Sequence, residues 1–292
     1  FRAKQTQAPR FELGIYTDEG FSAHEEGELF FMGGYAGILS GMILYNLFLF
    51  LSLREAVYLY YVLFVFSVTA IQFCLHGFSS QYFWPGTPEV QNFSVLFLVP
   101  SCVLFASLFT RQFLHLYHNS PNTDKVFKAT ALIGLGSMAG AFVLDYSLSI
   151  KISIIAVLLA SGTCLFIGPY LWSRGYKYAR YYSIAWLCIT VSALALALSK
   201  FGLLPRTYLT ENGLQIGAAA EAVLLSLALA DRLNRERRER FEAEERLVFT
   251  ALHHPITRVP NRAYLVNWLD NGSNLPNDRR RLQIALIHLH RF

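Results

Sequence analysis

Residues 212–246 read NGLQIGAAAEAVLLSLALADRLNRERRERFEAEER, and this stretch decides the fold. Through Ala230 its only charged residue is Glu221, whereas from Asp231 onward most residues are Arg or Glu, with no Gly or Pro between them. About 20 apolar helical residues, rising 1.5 Å each, cross the ~30 Å hydrocarbon core of a bilayer. The stretch therefore predicts a single helix from Leu214 to about His253 that crosses a membrane and continues into water. Glu236–Arg240 and Glu242–Arg246 stand in the favoured order for i,i+4 pairing. The apolar spine of the charged half (Leu229, Leu233, Phe241, Val248, Leu252) is thin, because Arg237 and Glu244 fall where a heptad wants apolar residues. A solvated helix and a weak parallel dimer coil are both open on this pattern.

Working outward, further apolar runs lie near 29–53, 56–78, 91–116, 126–146, 149–172 and 179–200, which with 212–230 make seven spans. Turn residues separate them at Ser52-Leu53-Arg54-Glu55, Trp84-Pro85-Gly86-Thr87-Pro88, Asn119-Ser120-Pro121-Asn122 and Ser173-Arg174-Gly175. The break from Asp145 to Lys151 is short and nearly apolar, so six spans would also fit. Composition agrees: 54% of residues are hydrophobic and only 15% charged, against about 25% charged in soluble domains. The expected fold is an all-α membrane protein, a seven-transmembrane helix bundle whose last helix extends into the cytoplasm.

Basic residues set the orientation. Arg54, Arg111, Lys125, Lys128, Arg174, Lys177 and Arg180 fall in the first, third and fifth connections, against Lys151, Lys200 and Arg206 in the others. By the positive-inside rule the N-terminus is outside and the C-terminus cytoplasmic. The net charge of +5 thus reflects topology, and nucleic acid is not an expected partner. Cys74, Cys102, Cys164 and Cys188 all sit inside apolar runs without a CxxC pair, so neither a disulfide framework nor a zinc site is indicated. No cofactor is expected.

Few polar residues enter the spans. Gly33, Gly37 and Gly41 recur every four residues and are expected to let helices pack closely. Glu221 is the outstanding group, because a carboxyl at membrane depth is costly and is usually functional or paired. With Gln215, Tyr45, Asn46, Asp231 and Arg232 it forms the set of candidate signal-coupling residues. At the N-terminal end, Arg10 to Thr17 alternates like a β-strand. At the other end, Leu282 to His290 reads as a buried strand after an amphipathic stretch, Ala263 to Leu269. The chain starts at Phe1 and stops at Phe292 directly after an apolar run, and it is read as a piece of a longer protein.

Tyr35-Ala36-Gly37, Leu44 to Phe50, Tyr58 to Leu63, Gly77 with Gln81 to Pro85, and Gly217 to Glu221 with Leu225 to Arg232 together resemble a known family. It is the membrane domain of the bacterial seven-transmembrane receptors with diverse intracellular signalling modules. The resemblance implies a receptor of the bacterial inner membrane that answers to an external ligand. A second resemblance lies at Pro255, Thr257, Pro260, Asn261 and Arg262, which match the opening of a GGDEF domain, the diguanylate cyclase fold. His254 and Arg258 replace that family's Asp and Gly, and His288 stands where its metal-holding Asp would be. Mg²⁺ wants oxygen ligands, so this resemblance implies a degenerate domain with no catalytic or metal site here. A downstream phosphodiesterase domain is what such proteins often carry.

The domain expectations are therefore 1–27 for the end of an external β-domain, 28–231 for the membrane bundle, 232–253 for a signalling helix and 254–292 for a GGDEF fragment. The chain as given is expected to be no enzyme; its partners are membrane lipids, an external ligand and a second copy through the cytoplasmic helix. A sensor histidine kinase is the rival reading, because His253-His254 follows the long helix, although Pro255-Ile256-Thr257 suits it poorly. A transporter would be expected to show repeats or more intramembrane charges. A retinal protein would need a lysine in 212–230, and there is none.

Overall fold

The computed structural model describes residues 18–85, 87–200, 202–205 and 207–271. The chain divides into two compact units, Phe1–Arg232 and Leu233–Phe292. The described residues form helices without a strand, apart from one isolated bridge between His253 and Pro260. The expected strands at Arg10–Thr17 and Leu282–His290, with His288, lie outside the described residues.

In the first unit, α1 (Asp18–Leu53) and α2 (Ala56–Leu75) form a tight antiparallel hairpin. Arg54 turns the chain there with a left-handed φ of 56°, its N–H donating to the Phe50 carbonyl at 2.7 Å. Gly77, at φ 78°, and a π-helical turn (Ser79–Phe83) lead to α3 (Pro88–Phe113). Pro88 opens α3 where its missing N–H has no helical partner to lose. A second proline, Pro100, sits inside α3, removing one rung of its hydrogen-bond ladder.

After the short α4 (Leu116–Asn119) come α5 (Pro121–Gly140), α6 (Tyr146–Ser173), α7 (Ala179–Lys200), α8 (Tyr208–Glu211) and α9 (Gly213–Leu252). Helix α3 is central, packing on α2, α5 and α6, while α6 also packs on α5 and α7. Close approaches use glycine. A Cβ at Gly134 of α5 would stand 3.0–3.1 Å from the Leu104 nitrogen and Pro100 oxygen of α3. One at Gly168 of α6 would collide with Ser183 and Tyr182 of α7, and one at Gly217 of α9 with Ser192 of α7.

Among the described residues, six helices are long and apolar enough to cross a membrane: Glu26–Leu53, Ala56–Leu75, Glu89–Phe113, Tyr146–Ser173, Ala179–Ser199 and Gly213–Leu252. The seventh expected span, 126–146, is α5, which is not among them. Its first two turns carry Asp124, Lys125 and Lys128, and the apolar run's continuation through Ala141–Leu144 is turn, not helix. The outward sides of these helices are apolar, with Leu44, Phe48, Phe66, Leu132, Leu158, Phe166 and Leu194 all exposed. Such a surface is what lipid, not water, covers.

Among the described residues, the glycine spacing in α1 does not serve helix packing. Met32, Tyr35, Leu39 and Asn46 face inward, which leaves Gly33, Gly37 and Gly41 exposed on the opposite side. A Cβ at any of these three would meet nothing within 4 Å.

In the second unit the rest of α9 is largely exposed, and Arg238 and Glu242 make an i,i+4 ion pair at 3.1 Å. α9 ends at Leu252, close to the expected His253. The Asn261 N–H donates to the Leu252 carbonyl at 2.9 Å and its Nδ2 to the Ala251 carbonyl at 2.8 Å, satisfying helix-end oxygens. Its Oδ1 accepts from the Tyr264 N–H at 3.1 Å, capping α10 (Arg262–Asn271). No α/β arrangement is seen among the described residues of 254–271.

Candidate functional site

Along the bundle part of α9, the inward positions Gln215, Ala218, Ala222, Leu225, Leu229 and Arg232 alternate steps of three and four, the spacing of one helical face. Small residues at 217–220 let this face sit deep among the other helices. Its polar members meet partners from three of them.

Nearest the start of α9, Gln215 Nε2 donates to His76 Nε2 at 3.0 Å, and His76 Nδ1 lies 3.0 Å from the Gln72 carbonyl. Two turns on, Glu221 is 3% exposed, and its Oε1 is buried with no hydrogen-bond partner. Tyr61 of α2 donates its hydroxyl to the Ala222 carbonyl at 2.7 Å. Glu221 also borders a cavity of about 130 Å³ whose other walls come from α2, α3, α6 and α7, including Phe64, Cys102, Ala160 and Trp186.

One turn further, Asn46 Nδ2 of α1 donates to Ser226 Oγ and to the Met42 carbonyl, both at 2.9 Å. At the far end Arg232 gathers the C-terminus of α3. Its Nη1 donates to the Gln112 and Phe113 carbonyls at 2.9 and 3.0 Å, and Nη2 lies 3.0 Å from His115 Nε2. Those carbonyls are the unpaired, partially negative end of a helix, which suits a guanidinium. His115 reaches its place through a left-handed φ of 48°.

Of the residues singled out by sequence, Gln215, Asn46, Glu221 and Arg232 are all buried on this seam. Asp231, half-buried, adjoins Arg232. Tyr45 faces outward, 48% exposed, so it is not part of the seam. Sequence reasoning missed Tyr61, His76, Trp186 and His115, whose only signal is a polar atom inside or beside an apolar run. It also missed two neighbouring clusters. The Thr110 and Tyr182 hydroxyls stand 2.9 Å apart between α3 and α7. Asp124 bridges Arg111 at 2.7 Å and Lys128 at 2.8 Å. Burial opposes the Asp124 charge, but the two cations hold its carboxyl below the ordinary range.

No group of three or more His, Cys, Asp or Glu able to hold a metal occurs among the described residues. The seam joins its helices through buried hydrogen bonds, Asn46 to Ser226, Tyr61 to the Ala222 carbonyl and Arg232 to the end of α3.

The fold defines a multi-pass helical membrane protein. The chain belongs to the 7TM diverse intracellular signalling family, whose model matches residues 28–232. No curated protein and no solved structure matches it.

Proposed function

We propose that the chain is the transmembrane part of a signalling receptor, with seven spans, its N-terminus outside and its C-terminus in the cytoplasm. An external or membrane stimulus biases the bundle, and α9 carries the bias as rotation, sliding or altered dimer contact. The observation that carries this reading is the seam on α9. One uninterrupted helix from Gly213 to Leu252 holds buried polar contacts through Arg232 and is largely exposed afterwards. The family match supports the receptor class.

The seventh span is 126–146, the apolar part of α5 with the turn that follows it, and the odd number agrees with the distribution of basic residues. The output is cyclic di-GMP signalling, through a degenerate GGDEF domain beginning near His254 and a phosphodiesterase domain following it in a longer protein. The support is the Pro255 to Arg262 resemblance alone, since the family match stops at residue 232. The chain itself performs no catalysis. Exposed Phe241 and Val248 favour a second copy as partner of the charged helix.

The test is insertion of two glycines beside Arg238 in the longer protein in membranes, with cyclic di-GMP synthesis and hydrolysis both measured. The expected result is hydrolysis that no longer follows the stimulus. Unchanged coupling would sink the helix mechanism, and the absence of both activities in the uninserted protein would move the output to a kinase.

A further inference from the structure

We propose that the cavity beside Glu221 is a ligand site for a small organic amine, about the size of benzene. The inference rests on the receptor reading for its purpose, although not for its chemistry. The cavity holds about 130 Å³, and an apolar cavity of roughly 150 Å³ accommodates benzene. Its walls are apolar save for the Glu221 carboxyl, the Ser161 hydroxyl, the Cys102 thiol and the Trp186 indole. Glu221 Oε1 and Trp186 Nε1 are both buried without a hydrogen-bond partner.

These features select among ligands. A carboxyl at membrane depth is stabilised by a cation paired with it, and among the described residues Oε1 has not even a hydrogen bond. A Ca²⁺ or Mg²⁺ ion needs about six or more oxygen ligands, far beyond one carboxyl. An ammonium needs fewer, and aromatic faces attract it. Phe64 and Trp186 supply two such rings on the same cavity, their centroids 6.3 Å apart. A neutral amine crosses hydrocarbon and takes the carboxyl proton: the Glu221 O–H bond breaks, an N–H bond forms, and the two charges appear together as an ion pair. Because Glu221 is on α9 and the other walls are on α2, α3, α6 and α7, the bound amine favours whichever position of α9 closes the pair. That differential affinity is what a ligand needs to shift an equilibrium.

The experiment titrates n-butylamine, with 1-butanol as its neutral counterpart, into the full chain in lipid nanodiscs. Binding is read as the tryptophan emission change that Trp186→Phe removes. A saturable change is expected, at least tenfold tighter for the amine than for the alcohol, and weakened at least tenfold in Glu221→Gln. Val157→Phe, which fills the cavity from α6, abolishes it for both. No saturable change, equal affinity for amine and alcohol, or undiminished binding in Glu221→Gln overturns the proposal. If Glu221→Gln does not fold, the amine–alcohol comparison and Val157→Phe decide. Binding is measured without any signalling output, so a failure here leaves the receptor reading standing. Intact binding with no effect on output would instead remove that reading.

Discussion

Arg232 closes the end of a helix that stands 119 residues earlier in the chain: its Nη1 lies 3.0 Å from the carbonyl oxygen of Phe113. One side chain on α9 thus fixes the last bundle turn of that helix against α3. The planar guanidinium spans two carbonyls and His115 at once, which a lysine ammonium, a point charge on a flexible stem, does not reproduce. Arg232→Gln is expected to lower bundle stability by about 1.5–3 kcal/mol, the range for hydrogen bonds to charged groups. Arg232→Lys recovers less than half of it. Unfolding in mixed micelles checks both, and full recovery by lysine would show that charge alone matters.

The Asn46–Ser226 contact ties α1 to α9 through one buried hydrogen bond. Interhelical hydrogen bonds in membranes couple by about 0.6 kcal/mol on average and at most about 1.7. A double-mutant cycle with Asn46→Ala and Ser226→Ala is expected to return a coupling in that range. A coupling of zero would mean that Asn46 is held by the Met42 carbonyl alone.

Gly217 has no room for a side chain, since an added Cβ would collide with Ser192 of α7. Gly217→Ala is therefore expected to destabilise by about 1–3 kcal/mol, the usual cost of overpacking. Shrinking the neighbour in Gly217→Ala with Ser192→Gly recovers most of it. Thermal denaturation of the single and double variants decides the matter; no recovery would place the strain elsewhere.

Asp124 gives a pH dependence with a definite sign. Its folded-state carboxyl lies below the ordinary range, held there by Arg111 and Lys128 against the cost of burial. The unfolded state then binds the proton more readily, so the stability this group contributes is complete above the ordinary Asp range and disappears as pH falls through the folded-state value. Asp124→Asn should flatten the acid limb of the stability profile and cost about 1 kcal/mol at neutral pH, discounted because Lys128 is half exposed. Equal acid sensitivity in both proteins would refute the assignment.

The spans were legible because apolar length is written along the chain. Which face of a span turns inward was not. In water the buried side of a helix is marked by contrast with a polar side, but lipid is as apolar as the core. Gly33, Gly37 and Gly41 thus suggested a packing seam and proved to face outward, and Tyr45 could not be told from Asn46 beside it. Where a polar atom had to be paid for by burial, as at Glu221, Gln215 and Arg232, the sequence did point to the seam. α5 is the least legible element: its apolar run is long, but part of it is turn and its start carries three charges. The aromatic partners on α2 and α7 were hidden because a tyrosine or tryptophan reads as simply apolar in a span.

Arg54 combines a strained turn with the charge of a loop. A left-handed backbone costs a side-chain-bearing residue roughly 1–2 kcal/mol, and glycine at this φ of 56° would relieve it. Yet Arg54 is the one basic residue between α1 and α2, and in the proposed orientation its charge holds that loop on the cytoplasmic side. A glycine there should give a protein that tolerates more heat once assembled and inserts upside down more often. In that orientation, strain carried by the assembled molecule is the counterpart of a charge that acts while the chain is still being threaded.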